Sequence, residues 1–287
     1  MPEGHTLHRL ALDLTSAFAG QQVRVGSPQG RFEDEALLLD GEEVGGAQAW
    51  GKQLFVQFPA ERYVHIHLGL IGKFQITTGA ADLPPPVGQV RLRLVGRRPD
   101  GWAYADLRGA TACDLWGPDQ VAACVAKLGP DPLRPEADPD RAWARIRRSD
   151  RSIGALLMDQ KVLAGVGNVY RAELLFRHRI DPQRPGSSLR RTQWSAMWED
   201  LVALMAEGVR LDRIDTVRPE HTPEQMGRPP RVDDHGGEVY VYRRAGLPCH
   251  VCGREIRTRI LEGRNLFWCP GCQRTYRSRA GATRALQ

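Results

Sequence analysis

The chain has 287 residues, 41% of them hydrophobic, with a formal net charge of +6. That length accommodates two or three domains and a sizeable core. No apolar run is long enough for a membrane-spanning helix, and the first residues lack the basic start and apolar centre of a secretory signal, so a cytoplasmic protein is expected.

In chain order, residues 4–18 read as a helix, with Leu7, Leu10, Ala11, Leu14 and Phe18 on one face and Gly20 as its stop. Residues 22–116 read mostly as strands, among them Leu54–Phe58, Tyr63–Leu70, Lys73–Thr77, Gln89–Val95 and Trp102–Leu107. Many short strands at close spacing predict a sandwich or barrel. A Pro/Asp-rich stretch from Leu128 through Pro139 reads as an interdomain linker. Helices are predicted over roughly 140–147, 152–163, 168–178 and 192–208. The last carries a stripe of Trp194, Met197, Trp198, Leu201, Leu204 and Met205 that reads as core packing. Residues 212–236 are polar and aperiodic and read as a mobile loop. A small cysteine-bearing hairpin module ends the chain, and there is no internal repeat.

Charge is unevenly spread. Residues 241–287 hold ten arginines, no lysine, and only Glu255 and Glu262 as acids, so this segment carries +8 and the remainder −2. A local cationic patch is the electrostatic footprint of a polyanion binder, although a solvated basic tail has the same composition. Arginines number 36 and lysines only four: Lys52, Lys73, Lys127 and Lys161. A genome whose base composition favours arginine codons is the plain explanation of the ratio. Against it, a surviving lysine marks a place that needs a compact ammonium.

Four of the six cysteines form two close pairs, Cys249-x2-Cys252 and Cys269-x2-Cys272, sixteen residues apart. Two such knuckles complete a tetrahedron of four thiolates, which suits one structural zinc ion. The module is too small to fold on its own core, and the metal supplies the difference. His250 lies within the first knuckle, but the cysteines already fill four positions. Arg254, Arg257, Arg259 and Arg264 lie on the hairpin between the knuckles.

The other end begins Met1-Pro2-Glu3-Gly4, immediately before the first helix. Removal of Met1 exposes a secondary amine at Pro2; in isolation, Pro2 reads more readily as the favoured first residue of a helix. Met1-Pro2-Glu3, Gly51-Lys52, His67-Leu68-Gly69, the stretch Leu157–Lys161 through Gly165-Val166-Gly167-Asn168, and the four-cysteine finger occur in that order. Together they resemble the formamidopyrimidine-DNA glycosylase and endonuclease VIII family, nearly end to end. Gly4-His5-Thr6 is closer to the endonuclease VIII branch.

The resemblance implies an α+β multidomain protein: an N-terminal β-sandwich carrying a first helix (residues 1–130), a helix-two-turn-helix domain with a flexible loop (131–237), and a zinc-finger hairpin (238–287). It implies a monomer that binds damaged double-stranded DNA and acts as a bifunctional glycosylase and lyase in base excision repair. Pro2 would attack C1′ of the damaged nucleotide, forming an iminium that serves as the electron sink for β- and δ-elimination. Glu3 would transfer protons, and Lys52 would hold a phosphate near the lesion and polarise the departing group. Lys161, Asn168 and Arg264 would bind phosphates, with Gly165-Val166-Gly167 letting backbone amides approach one. A flipped base leaves a gap. Leu70 matches one gap-filling position and Arg108 a second; Ala110 stands at the third, often aromatic in the formamidopyrimidine branch. For Leu70 the plainer reading is a core leucine. Phe267 and Trp268 read as finger core, and His65 and His67 show no partner in the sequence. Oxidised pyrimidines are the expected substrates. A formamidopyrimidine-type specificity, a duplex-binding protein of the same fold without chemistry, and a zinc-ribbon regulator of transcription are the alternatives. The last leaves the N-terminal motifs unexplained.

Overall fold

The computed structural model describes residues 2–232 and 237–277, so the fate of Met1, the end of the 212–236 loop and the end of the 238–287 module lie outside the described residues. The chain forms two compact units, Met1–Leu128 and Gly129–Gln287.

The first unit opens with α1 (Gly4–Phe18), then β1 (Arg24–Gly26), α2 (Glu33–Leu39), β2 (Gly46–Trp50), β3 (Gln53–Phe58), β4 (Arg62–His67), β5 (Lys73–Ala80), β6 (Val90–Arg98), β7 (Gly101–Arg108), β8 (Ala112–Trp116) and α3 (Pro118–Ala126). The strands make two antiparallel sheets, ordered β1-β6-β7-β5 and β2-β3-β4-β8. One core lies between them: Leu54, Val56, Val64 and Ile66 from one sheet meet Leu92, Leu94, Ala105 and Leu107 from the other. This is the sandwich that the short alternating strands require. The apolar face of α1 joins it through the fully buried Leu7, Leu14 and Phe18, each contributing about 1.5–3 kcal/mol of transfer free energy.

Two expectations for this unit change. Residues 33–39 form helix α2, because Glu33, Asp34 and Glu35 in its first turn favour the helix dipole and Ala36 and Leu39 reach the core. The strand expected over Tyr63–Leu70 stops at His67, and Leu68–Gly72 is a tight turn closed by the Gly72 amide on the Leu68 carbonyl at 3.1 Å.

The second unit contains α4 (Pro139–Ile146), α5 (Ile153–Leu156), α6 (Asn168–Arg177), α7 (Arg191–Leu211), α8 (Pro223–Met226), β9 (Arg257–Leu261) and β10 (Arg264–Trp268). Asp138 caps α4 by accepting from the Asp140 amide, with Pro139 at the first helical position. Trp194, Met197, Leu201 and Met205 of α7 enter a core shared with α6 and with Ile256, Phe267 and Cys269 of the cysteine module. Phe267 is buried edge-on to Tyr242 and Trp268 is half-buried, so Phe267 is finger core as expected.

Two expectations change here too. The helix predicted over 152–163 is a single turn, α5. Beyond it the Asp159 carboxylate accepts from the Lys161 amide at 3.0 Å, and Gln160 donates to the carbonyls of Met158 (3.0 Å) and Val166 (2.9 Å). Side chains that bind nearby backbone in this way compete with helix continuation. The start of the expected linker is not a solvated tether: Gly129 to Pro132 are buried, and Gly129 and Pro130 pair with Gln160 and Ala164. A Cβ on Gly129 would meet the Val162 carbonyl oxygen at 2.3 Å.

The loop after α7 holds a 3-10 turn at Pro219–His221 and the short α8 capped by Thr222. Its ends are tied, Thr216 to Glu238 through backbone and Arg228 to Glu238 through an ion pair at 2.7 Å. The strap that follows, residues 238–244, is held by Glu173 of α6. This fully buried carboxylate accepts from the amides of Tyr240 (2.7 Å), Val241 (2.8 Å) and Tyr242 (2.8 Å) and from the Thr216 hydroxyl (2.7 Å).

Candidate functional site

In the first unit, Glu3 is the N-cap of α1 in an extended conformation, yet its side chain makes no capping bond. It is a fully buried acid. Pro2 precedes the cap and is half-buried, so it is not the first helical residue. A residue at the mouth of the helix stands where the dipole is positive, which lowers the proton affinity of an amine. His5, in the first turn of the helix, is almost wholly buried; burial first, then the N-terminal amine and His8, push its imidazole down to about 4.

Lys52 lies in the two-residue turn between β2 and β3, where Trp50 pairs with Gln53. Gly51 takes φ +59°, the left-handed geometry that the first position of such a hairpin turn requires. The Lys52 carbonyl accepts from His67 Nδ1 at 2.9 Å, so His67 carries its proton on Nδ1 and pins the turn to the end of β4. Helix α1 packs on the same β2–β3 hairpin. The helix that begins just after Pro2 and Glu3 therefore packs on the hairpin whose turn holds Lys52. His65 has packing partners instead: Gln53 Oε1 at 2.8 Å from Nε2, and Trp116 stacked at 3.7 Å.

Leu70 is not core. It is 50% exposed, and its neighbour Ile71 is 79% exposed. Both ride on the Leu68–Gly72 turn, which is rigid: Thr111 donates its amide to the His67 carbonyl at 2.9 Å, and a Cβ on Gly69 would lie 2.0 Å from Thr111 Oγ1. Two adjacent aliphatic side chains are thus held out in water. Ile71 escaped the sequence reading because an isolated isoleucine after a strand reads as core. Arg108 is occupied otherwise. Its guanidinium donates to Val87 O (2.9 Å), Gln75 Oε1 (3.1 Å) and the buried Asp106 carboxylate (2.9 Å). Ala110 packs against the sandwich core.

In the second unit, Asn168 opens α6 behind the Gly165-Val166-Gly167 turn. Gln160 clips that turn through the Gly165 amide, which donates to its Oε1 at 3.0 Å. Asn168 is buried; its Nδ2 donates to the Asn265 carbonyl of β10 at 2.9 Å, and its Oδ1 accepts from the buried Arg171. Arg264 is therefore adjacent to the residue that docks β10 on the start of α6. Among the described residues, neither the exposed Lys161 ammonium nor the half-buried Arg264 guanidinium has an ion-pair partner. Cations without an ion-pair partner and a helix N-terminus are the groups that an anion-binding site uses. Sequence reasoning missed Glu173 and Arg171, since a Glu and an Arg within an otherwise ordinary helix carry no signal of burial.

The Sγ atoms of Cys249, Cys252, Cys269 and Cys272 lie within 4.8 Å of one another. Cys249 and Cys272 are 3.9 Å apart, and Cys252 and Cys269 3.4 Å, far beyond a disulfide bond. Zinc–sulfur bonds of about 2.3 Å place tetrahedral sulfurs roughly 3.8 Å apart, so the donor set fits one structural zinc. The Val251 and Cys272 amides point at the Cys249 and Cys269 sulfurs, both at 3.4 Å, as second-sphere donors to thiolates. His250 is no ligand; its Nδ1 lies 3.3 Å from the Arg244 guanidinium.

Comparison with known proteins agrees with this division of labour. Residues 1–113 match the formamidopyrimidine-DNA glycosylase N-terminal domain, residues 128–219 the formamidopyrimidine-DNA glycosylase H2TH domain, and residues 246–275 the zinc finger found in FPG and IleRS. The chain is 55% identical over 275 residues to Endonuclease 8 1 of Mycobacterium tuberculosis, covering 95% of this chain and 100% of the relative. It is 31% identical to the formamidopyrimidine-DNA glycosylase of Geobacillus kaustophilus, over 96% and 99% of the two chains. Among solved structures, Lactococcus lactis Fpg in complex with DNA containing an abasic site superposes with a TM-score of 0.74 at 22% identity, covering 95% of this chain and 100% of that one. MutM in complex with DNA containing carbocyclic 8-oxo-G gives 0.76, also at 22% identity, over 96% and 100%.

Proposed function

The chain belongs to the formamidopyrimidine-DNA glycosylase and endonuclease VIII family, and from that premise we propose that its α1 entrance and β2–β3 turn form the reaction centre of a DNA glycosylase and abasic-site lyase acting in base excision repair. The observation that carries this reading is Glu3, a buried carboxylate beside Pro2 that is not used to cap its helix.

With Met1 removed, the neutral Pro2 nitrogen attacks C1′ of the damaged nucleotide as the C1′–base bond breaks. The departing base takes a proton, and the sugar ring opens to an iminium on Pro2. Glu3 delivers the proton that opens the ring. The cationic iminium acidifies the C2′ protons; loss of one expels the 3′-phosphate, and a second elimination expels the 5′-phosphate. Water then releases the sugar fragment from Pro2. Lys52 neutralises a phosphate close to the reacting sugar. Leu70 and Ile71 fill the space that the flipped nucleotide vacates. Lys161 and Arg264 hold phosphates; the Asn168 side chain, buried and bonded to Asn265 and Arg171, serves instead to hold the Arg264 strand at the start of α6, where backbone amides face a phosphate, and the zinc ion keeps the Arg264 hairpin folded. Arg108 serves β-sheet packing in the free protein and meets the opposite base only if its three internal bonds break.

Oxidised pyrimidines are the substrates this reading favours, in keeping with the likeness to Endonuclease 8 1 over its full length. The functional division remains 1–130, 131–237 and 238–287, in a monomer acting in the cytoplasm at the nucleoid. No described helix is long and apolar enough to cross a membrane.

Borohydride reduction in the presence of an abasic-site duplex tests the chemistry. A covalent protein–DNA adduct is expected, and it should vanish in Pro2→Gly and when Met1 is retained. Correctly processed protein that binds the duplex but forms no adduct would leave only a binding function.

A further inference from the structure

We propose that Arg151 is a positioning residue, a strut that fixes the hairpin tip carrying Arg264 against the loop carrying Lys161; this rests on the reading of those two cations as phosphate contacts. Arg151 Nη1 donates to Asp159 Oδ2 at 2.9 Å, while Nη2 donates to both Glu262 oxygens at 3.1 and 2.9 Å. The two acids stand in equivalent places. Asp159 lies two residues before Lys161 and accepts from its amide through Oδ1. Glu262 lies two residues before Arg264, in the turn between β9 and β10 where Leu261 pairs with Arg264.

Arg264 is thereby held from both sides. Glu262 anchors the tip to Arg151, and Asn265 anchors the next residue to Asn168. With only one anchor the strand would pivot, and the guanidinium would sweep across the phosphate it must meet.

The turn itself shows that Glu262 is placed for its side chain. Glu262 has φ +46° and Gly263 φ +73°, so both central residues are left-handed. That turn favours Asn, Asp or Gly at its first position, and a long-chain residue is strained there. A carboxylate beside two phosphate-binding cations also repels DNA. Local conformation and simple electrostatics thus both disfavour Glu262, and its bonds to Arg151 supply the compensating role.

The test is Glu262→Asn, which suits the turn better and removes a negative charge. Affinity is measured for a duplex carrying a tetrahydrofuran abasic analogue, by anisotropy, with zinc content and melting temperature followed in parallel. On turn propensity and charge alone the variant should bind more tightly. The strut requires roughly two- to fivefold weaker binding, the scale set by losing the one partly exposed Arg151–Glu262 ion pair, with zinc retained. Arg151→Gln should show the same loss. In an Arg264→Ala background the loss from Glu262→Asn should disappear, because the strut acts through Arg264. Unchanged or tighter binding overturns the strut alone, as does a loss that persists in the Arg264→Ala background, whatever the melting temperature does. If Arg264→Ala itself binds as well as the native protein, the phosphate assignment falls and takes the strut with it.

Discussion

Replacing Glu173 with glutamine should loosen the second unit, and the structure sets the size of the effect. The carboxylate is wholly buried; one oxygen takes the Val241 and Tyr242 amides, the other the Tyr240 amide and the Thr216 hydroxyl. An amide of the same shape keeps one oxygen and presents an NH2 group to the other pair of donors. The less harmful orientation turns the NH2 toward Thr216, whose hydroxyl can rotate to accept. The Tyr240 amide is then left unsatisfied, at about 1–3 kcal/mol, and the remaining bonds lose their charge assistance. Removing a buried charge returns part of this. The net loss should be about 2–4 kcal/mol, lowering the melting temperature of this unit by roughly 5–15 °C. Calorimetry measures the total, and hydrogen exchange at residues 240–242 localises it, since those amides should lose protection first. A melting temperature within about 1 °C of native, with amides 240–242 still protected, would refute the claim that this carboxylate holds the strap.

Three further outcomes are expected. Leu70→Ala should lower kcat/KM on a duplex lesion roughly tenfold, with little change in stability because the side chain is half exposed; the same lesion in a single strand, where no gap opens, should be processed at the native rate, and an equal loss on both substrates would dismiss the gap-filling role. The His5 imidazole, held near 4 against 6.5 when exposed, should make stability fall as pH drops through that window and stay flat above it. The unfolded chain takes up the proton first, so the full loss below the window is about 3 kcal/mol; urea titrations from pH 4 to 7 should show the slope in the native protein and flatten in His5→Gln, and parallel curves would contradict it. Chelating the zinc, or making Cys269→Ser, should abolish lesion-duplex affinity together with the folded hairpin, because the metal contributes on the order of 10 kcal/mol to such modules; an apoprotein that binds DNA normally would refute a structural role for the ion.

Much of this molecule is written locally. The α1 stripe, the alternating strands and the two cysteine knuckles each repeat at the spacing their geometry demands, so periodicity alone places them. Pro2, Glu3, Lys52 and the Gly165–Asn168 turn were legible for another reason: they occur in order beside the finger, and the order carries the family. What could not be read locally is whatever depends on partners distant in sequence. The predicted helix over 152–163 fails because Gln160 and Asp159 find backbone partners and residues 129–130 occupy the groove beside them. Glu173 becomes a keystone only when residues 216 and 240–242 fold over it. Leu70 and Ile71 are exposed because Gly69 and Thr111 hold their turn outward, whereas the same dipeptide on a continuing strand would be half buried. The sequence by itself determined which elements form and which chemistry the chain carries, since propensity, periodicity and ligand spacing act over a few residues. Tertiary structure decided which charges are satisfied and which are left for DNA, because a hydrogen bond or ion pair between residues a hundred positions apart exists only after the chain has brought them together.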